Sequence, residues 1–420
     1  MQKLKVAVVG GGGRENAIVL KLKESKKIEK LYCIPGNAGI SQIAECVPIG
    51  VMDFEKIGEF AINNKIDLVF VAPDDPLAKG LVDYLESLNI RAFGPNKSAA
   101  RLEGSKIFSK NFMKKYGIPT ATYETFDCYE KAEEYLKTAD MPIVLKADGL
   151  ALGKGVLICK DRDEALLGLK SLMIDGNYGK EAGSKIVVEE FLEGREVTLL
   201  TFCDGNTIIA MPSSQDHKRA FDGDKGLNTG GMGAFAPSPY FTNELEYEFF
   251  EKIAGPTLNG LKKEDITFKG VIYFGLMITK NGLKVIEYNA RFGDPETQVI
   301  LPLLKTDLLD VVNACIDGTL DSLDIEWKDG SALTVVIAEG GYPDKVIKGH
   351  RIEIGDLDGV TLYHAGTKFN EKGELVTNGG RVFTMTAVGK NIDDARKIVY
   401  SQIDKVKFES ARYRKDIGLV

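Results

Sequence analysis

Within the run Lys284–Gln298 (KVIEYNARFGDPETQ), an acid, an amide, a guanidinium and a second acid follow one another in a few residues. Val285, Ile286 and Tyr288 suit a half-buried pleated strand. Strand period then sets Glu287 and Asn289 on one face, two residues apart. A carboxylate beside an amide oxygen is a hard-oxygen nest for Mg²⁺, which commonly takes few protein ligands and completes its shell with phosphate oxygens and water. Arg291 adds a planar fork matched to phosphate or carboxylate. Gly293-Asp294-Pro295 turns the chain and presents another acid. A cation site, an anion clamp and an acid at one strand end could carry out phosphoryl transfer. The plainer alternative is a charged edge-strand end closed by a Gly-Pro turn, and a Glu-x-Asn alone would mean no more than that. What decides is whether other segments supply the rest of a nucleotide site.

Several could. Met141–Gly149 reads as a strand with Lys146 near its end, and Gly153-Lys154-Gly155 opens the next strand, Val156–Cys159. This is no Walker A loop, because three residues separate Gly149 from Gly153 and Gly155 stands where Ser or Thr is needed. Strand, Gly-rich turn, strand predicts a flexible flap over a triphosphate, with Lys146 a point charge on it. An ordinary Gly hairpin with surface lysines is the alternative. Ile186–Leu192 reads as a strand emerging into Glu193-Gly194-Arg195-Glu196. Backbone groups there can read an adenine edge and Glu196 can hold ribose hydroxyls; an edge strand with solvated acids competes. A helix is expected to begin at Arg101 and run towards Tyr116, and taken singly its Lys106 is a solvated charge. Ser213–Ala234 is a long polar, Gly-rich loop, and its basic pair Lys218 and Arg219 favours anion handling over disorder. His217 is read as a polar loop residue first.

The elements that would position these groups have a βαβ rhythm at the N-terminus. Residues 4–9 form a short apolar strand, and Gly10-Gly11-Gly12-Gly13-Arg14-Glu15-Asn16-Ala17 leads into a helix whose start offers N–H groups to an anion. A dinucleotide fits poorly: the sixth position of Gly-x-Gly-x-x-Gly is Glu15, and the second strand ends Tyr32-Cys33-Ile34-Pro35 without a ribose-holding acid. A single phosphate fits better, and a tight βα turn is the structural alternative. Pro35–Gly39 and Val71–Leu77 follow the next strands, at the ends where open α/β sheets bind ligands.

At 420 residues and 44% hydrophobic, the chain should hold more than two domains of about 100–200 residues each. A net charge of −7 argues against general nucleic-acid or membrane-surface binding. The six scattered cysteines include no Cys-x-x-Cys, and the three histidines lie far apart, so neither a disulfide framework nor a His-based zinc site is expected. With no basic leader and no bilayer-length apolar run, a soluble cytoplasmic protein is expected. Val271–Ile278 and the turn at Asn281-Gly282 make a hairpin with the opening strand. Beyond Trp327, strands at 331–339, 351–354, 360–365 and 380–388 and a helix near 391–405 predict a smaller α+β domain. There are no internal repeats.

Taken together, Gly12–Glu15, Pro35–Gly39, Leu102–Lys106, Lys146–Gly149, Gly153–Val156, Ser213–Arg219, Asn228–Ala234, Arg291–Gln298, Thr377–Val382 and Arg414–Gly418 resemble, in order, the motifs of the phosphoribosylamine–glycine ligase family of the ATP-grasp superfamily. The resemblance covers essentially the whole chain. It implies a multidomain α/β and α+β fold: a parallel-sheet domain at 1–102, an ATP-grasp domain at 103–325 with a lid at about 121–190, and an α+β domain at 326–420; that this last domain covers the cleft is an expectation apart from the resemblance. It implies ATP, glycine and 5-phosphoribosylamine as small-molecule substrates, glycyl phosphate as intermediate, and neither nucleic acid nor membrane as partner; a monomer is the working expectation.

Roles implied by the same resemblance follow. Glu287 and Asn289 would hold Mg²⁺ or Mn²⁺. Lys106, Lys146, Gly153, Lys154 and Gly155 would embrace the phosphates. Glu189, Glu190, Phe191 and Leu192 would line the adenine slot, and Glu196 the ribose. Arg291 would steady the acyl phosphate, with Asp294, Asp216 and Lys218 near the reacting groups. Gly12, Gly13, Arg14, Glu15, Asn37, Arg219 and Gly293 would hold the other substrates. By the same resemblance the family has His where Asn16 stands, Gly-Pro-Glu at Ala72–Asp74, Glu at Arg195 and Pro at Leu227. Rival readings are another ATP-grasp enzyme, such as a carboxylase or formate-using ligase, and a nucleotide-binding module without activity.

Overall fold

The computed structural model describes residues 3–150, 155–176 and 182–419. Its first sheet is parallel throughout, with Glu45–Cys46, Ile28–Pro35, Leu4–Gly10, Leu68–Val71 and Ala92–Phe93 in that spatial order. Val6–Val9 are fully buried, as the continuous apolar run of a strand covered on both faces requires. Strand order steps outward both ways from Leu4–Gly10, so a crevice opens at its C-terminal end, between Gly10–Gly13 and Ala72–Asp74.

Among the described residues three further sheets of four or five strands, with three two-stranded ones, build the rest. Tyr123–Phe126, Ile186–Glu190, Ile143–Ala147 and Val156–Cys159 form an antiparallel sheet. The helices Tyr129–Leu136 and Arg162–Met173 bury their apolar sides against it. The second, also antiparallel, runs Ile208–Ala210, Arg195–Cys203, Gly270–Thr279, Gly282–Asn289. The third has Ser331–Ala338 and Arg381–Gly389 at its centre and Thr361–His364 at one edge. Its other edge is Gly233–Ala236 and Gln215–Asp216. The segment read as a long polar loop is therefore largely short strands, including the hairpin Arg219–Phe221 with Lys225–Asn228. Two of those strands stitch it into the C-terminal sheet, a pairing that local sequence does not encode. Among the described residues no helix is long and apolar enough to cross a membrane.

The helix expected to start at Arg101 is two helices, Lys97–Gly104 and Lys106–Lys115. Ser105 breaks them with extended backbone and caps the second by accepting the N–H of Phe108. Asp148 Oδ1 reinforces this start, accepting from Ser105 Oγ at 2.9 Å and from the Ile107 N–H at 3.0 Å. Lys106 therefore opens a helix instead of lying within one.

Strand Gly282–Asn289 departs from plain alternation. Its register against Gly270–Thr279 shifts between Gly275, opposite Glu287, and Leu276, opposite Val285, leaving Ile286 as a bulged residue. Leu283 and Val285 are buried before the bulge and Tyr288 after it, so the bulge switches which parity faces the core. Glu287 and Asn289 share the cleft face, while Val285, two residues before Glu287, packs in the core. Gly275 lies opposite, where a Cβ would sit 3.1 Å from Glu287 Cγ, so glycine leaves room for that carboxylate.

On the core side Phe274 is fully buried, edge-on to Phe249 at 4.8 Å between ring centres and to Tyr288 at 5.2 Å. Tyr288 is pinned in turn by the Thr257 hydroxyl at 2.8 Å. Phe274→Ala is expected to lower unfolding free energy by about 3–5 kcal/mol, measured by chemical denaturation; a loss under about 1 kcal/mol would mean this cluster does not brace the Glu287 strand.

Candidate active site

Glu287 is half-buried in a ring of cations. Burial opposes its charge, but Lys218, Lys146, Lys106 and Arg291 together outweigh that and hold its carboxyl below the usual range. The lysines come from separate elements. Lys106, at its helix start, donates to the Gly149 carbonyl at 2.7 Å. Lys146, near the end of Ile143–Ala147, donates to the carbonyl of Ile286 at 3.1 Å, the residue the bulge sets out of register. Lys218 pairs with Glu196 at 3.1 Å. Burial pulls the Lys106 ammonium below its ordinary pKa, and Glu287 works against that pull.

One lysine that the motifs did not single out joins them. Lys110, one turn after Lys106, is buried and shares Glu189 Oε2 with Lys146, each at 3.0 Å. Lys110 also donates to Thr120 Oγ1 at 2.7 Å, and that hydroxyl donates to the carbonyl of Val285 at 2.6 Å. Burial lowers the Lys110 pKa to about 8, against the pull of Glu189. Glu189 Oε1 is buried with no hydrogen-bond partner, an acceptor left open beside two cations. Glu190 spends its carboxylate on Lys284 at 2.9 Å and on the Thr122 N–H at 3.0 Å, so its side chain ties strands together. Phe191 is exposed and Leu192 half-buried at the strand exit. Gly155 is buried, and its carbonyl accepts the Ala147 N–H at 2.8 Å; Gly153 and Lys154 lie outside the described residues.

Arg291 anchors the other side. It pairs with Glu103 at 2.8 Å, reaches Asn289 Oδ1 at 3.4 Å, and keeps a buried Nε with no partner. Glu103 Oε2 accepts the Ala290 N–H at 2.8 Å, fixing the fork to its own backbone. Two residues on, Gly293 lies against the Glu296 carboxylate and the Tyr273 ring, which leave no room for a Cβ. Tyr273 donates to Glu296 Oε1 at 3.0 Å. Asp216 stands in the same buried neighbourhood as Lys218, Glu296 and Glu196. Arg219 gives its guanidinium to the carbonyl of Gly226 at 2.9 Å, closing its own hairpin.

Beyond Asp294 lies a cleft of about 420 Å³ whose walls include Gly11–Gly13, Asn37, Tyr342, Thr367, Asn378 and Arg381. The C-terminal domain thus does more than cover the cleft, because it furnishes part of its wall. Internal bonds occupy several groups expected to cradle a phosphate. Glu15 accepts the Gly12 N–H at 2.6 Å and the Arg14 Nε–H at 2.6 Å, and Arg14 Nη1 donates to the carbonyl of Phe292 at 3.0 Å. Gly10, at φ +125°, lets Glu15 fold back; a Cβ would lie 2.4 Å from its Cγ. Asn37 donates to the carbonyls of Gly11 at 2.9 Å and His364 at 2.8 Å, and accepts the Ile40 N–H at 2.9 Å. Thr367 and Asn378, which motif reading assigned no role, also line this cleft.

Among the described residues no group of three or more His, Cys, Asp or Glu could hold a metal. A divalent ion at Glu287 and Asn289 would therefore need phosphate oxygens and water to complete its shell. An ionised carboxylate, an amide oxygen only weakly engaged at 3.4 Å, an orphaned buried donor at Arg291 and an orphaned acceptor at Glu189 fit a nucleotide with its metal.

Comparison with known proteins agrees. The phosphoribosylglycinamide synthetase N domain matches residues 4–103, its ATP-grasp (A) domain 104–297 and its C domain 332–420. A phosphoribosylamine–glycine ligase of Caldanaerobacter subterraneus is 49% identical over 416 residues, covering 99% of both chains. A bifunctional purine biosynthetic protein of Dictyostelium discoideum is 44% identical over 99% of this chain and 55% of its own length. The crystal structure of a phosphoribosylamine–glycine ligase from Thermotoga maritima superposes with a TM-score of 0.85 at 36% identity, covering 99% of this chain and 100% of that one. The biotin carboxylase domain of a Hydrogenobacter thermophilus 2-oxoglutarate carboxylase, solved with MgADP and bicarbonate, shares the fold at a TM-score of 0.75 and 18% identity, over 98% of this chain and 92% of that one. The chain belongs to the phosphoribosylglycinamide synthetase family, with its N, ATP-grasp and C domains in that order.

Proposed function

We propose that this protein joins glycine to 5-phosphoribosylamine at the expense of ATP, giving glycinamide ribonucleotide, ADP and phosphate. The observation that carries the reading is the Glu287 carboxylate encircled by Lys106, Lys146, Lys218 and Arg291, in a chain of this family. The glycine carboxylate attacks the γ-phosphorus and ADP leaves, giving glycyl phosphate. The amine then attacks the acyl carbon, phosphate leaves, and the amine nitrogen gives up one proton. Neither step needs a protein nucleophile, so positioning and charge neutralisation carry the rate. The thiols fit that view: burial pushes Cys33 and Cys315 well up and Cys203 to about 12, leaving them protonated.

A divalent ion, Mg²⁺ or Mn²⁺, held by Glu287 and Asn289 would neutralise charge between the phosphates. Lys106 and Lys146 face the same phosphates from two elements, and the Glu189 Oε1 acceptor suits the exocyclic amine of adenine. Glu196, held by Lys218, suits the ribose hydroxyls. Arg291, whose guanidinium and preceding backbone N–H are both held by Glu103, has a spare Nε–H suited to the transferring group. Asp294 and Asp216 flank the position of the reacting amines, with Lys218 balancing Asp216. The domain limits proposed are 1–102, 103–325 and 326–420.

A coupled ADP assay tests the reading: ADP release should need both glycine and freshly made 5-phosphoribosylamine. Release with bicarbonate or formate replacing glycine would reassign the acceptor. Arg291→Ala is expected to lower kcat about 10²–10³-fold, as loss of a transition-state donor does, while the ATP dissociation constant moves less than about threefold. Unchanged turnover would strip Arg291 of this role.

Charge at Asp216 yields a second check. Burial, seconded by Glu296 and Glu196 and opposed by Lys218, raises its carboxyl to about 7. A carboxyl raised on folding binds its proton more tightly in the native state, so its stabilising effect is present below the unfolded pKa and is lost as pH rises through the folded one. Asp216→Asn should accordingly gain stability relative to the unaltered protein on going from pH 5 to pH 8, read as the difference in Tm at the two values. A difference that falls or stays flat would place Asp216 in a solvated setting.

A further inference from the structure

One cation of the C-terminal domain reaches the expected reaction centre. Arg381 opens the strand Arg381–Gly389 and lines the 420 Å³ cleft together with Asp294. Its Nη1 donates to the carbonyl of Gly230 at 2.5 Å and to that of Asp294 at 2.9 Å, and its Nη2 donates to Asp294 Oδ2 at 3.0 Å. The other carboxylate oxygen, Oδ1, accepts from Gln298 Nε2 at 2.7 Å. Asp294 is thus held on both oxygens, from two directions, and each oxygen keeps acceptor capacity for a ligand in the cleft. Gln298 belongs to the same segment as Asp294, whereas Arg381 comes from a different domain. The Gly230 N–H donates to the Tyr342 hydroxyl at 3.0 Å, so the glycine loop and the Asp294 turn are clamped to the C-terminal domain at one point.

We infer that Arg381 is a positioning residue for the second half-reaction: it aims Asp294 as the acceptor for an N–H or O–H of the incoming amino-sugar phosphate. This rests on the ligase reading above. Arg381 forms no bond to Glu287, Lys106 or Lys146, so the glycine-activating half should not feel it. The guanidinium meets four acceptors, the carbonyls of Gly230, Gly231 and Asp294 and the Asp294 carboxylate; an ammonium keeps the charge but cannot reproduce that fork. A mere interdomain tie would behave differently, because loosening the C-terminal domain would disturb both halves alike.

The test compares Arg381→Lys with unaltered enzyme in two assays on the full chain. One is ligation, with phosphoribosylamine varied at saturating ATP and glycine. The other is glycyl hydroxamate formation with hydroxylamine replacing the amine, which reports acyl phosphate alone. The expected result is a KM for phosphoribosylamine raised about tenfold to a hundredfold, the range for losing a charge-assisted bond, with hydroxamate formation within about twofold of the unaltered enzyme. Asp294→Asn should show the same selective loss, and the double variant should be no worse than Asp294→Asn alone, because the two residues act as one unit. Parallel loss of both assays in Arg381→Lys, loss of neither, or additive losses in the double variant would each overturn the inference. Unaltered enzyme that makes no glycinamide ribonucleotide would instead sink the ligase reading itself.

Discussion

The structure depends on a balance of charge at the end of one strand. Five cations, Lys106, Lys110, Lys146, Lys218 and Arg291, converge on the space before Glu287. Four carboxylates, Glu103, Glu189, Glu196 and Glu287, are interleaved with them. Two like charges at 4 Å repel by about 4 kcal/mol at a typical protein-surface dielectric, so the lysines could not crowd together without those acids. Nor does the cluster exist for stability, since partly buried ion pairs roughly break even against desolvation. What it provides is an electrostatic environment organised in advance, a local concentration of cations in a chain whose overall charge is −7. A triphosphate entering with its divalent ion meets dipoles and charges that need not reorganise.

That balance makes demands on the fold, because the groups come from distant parts of the chain. The antiparallel sheet with Gly270–Thr279 at its centre supplies Glu287, Asn289 and Glu196, and the four-stranded sheet of Ile143–Ala147 and Ile186–Glu190 supplies Lys146 and Glu189. The helix Lys106–Lys115 carries Lys106 and Lys110 on one face between them. The bulge at Ile286 does two things at once: it turns Glu287 and Asn289 towards the cleft, and it sets out of register the residue whose carbonyl receives Lys146. A regular strand would have kept Glu287 on the face of Val285, which is core. The strands Gln215–Asp216 and Gly233–Ala236 then bind the segment carrying Asp216 and Lys218 into the C-terminal sheet.

Local sequence made much of this legible. Alternation placed Glu287 and Asn289 on one face, turn chemistry marked the Asp294 bend, and the βαβ rhythm marked the parallel sheet with its crevice. What escaped is long-range pairing. Lys110 sits in IFSKNFMKK, where it reads as one more helix charge until Glu189 and Lys146 are brought beside it. The signal that could have found it is its four-residue spacing from Lys106. Ser105 likewise announces an N-cap, yet the preceding helical residues masked the break. Arg381 falls in the Thr377–Val382 motif without an assigned role and gains one only against Asp294, from which it is separated by 87 positions. Arg14 and Asn37 show the converse: their types suit a phosphate, and the fold spends them on internal bonds.

The departures from the family pattern can be read in the same terms. Asn16 is buried and accepts the His364 N–H at 2.7 Å, so the position serves the seam between the first and last domains. Asn37, on the same side of that seam, bonds the His364 carbonyl, and the two amides hold both backbone groups of one residue of the C-terminal domain. Asp74 keeps its carboxyl low despite burial because Arg291 and Arg14 face it, which retains an acid at the place where the family carries a longer one. Arg195 lies over the Tyr240 ring at 3.5 Å, and Leu227 is exposed on its hairpin. None of these positions bonds to the Glu287 ring of lysines. Asn16 therefore bears on how the C-terminal domain seats on the first, whereas Asp74 bears on the charge balance itself, through Arg291.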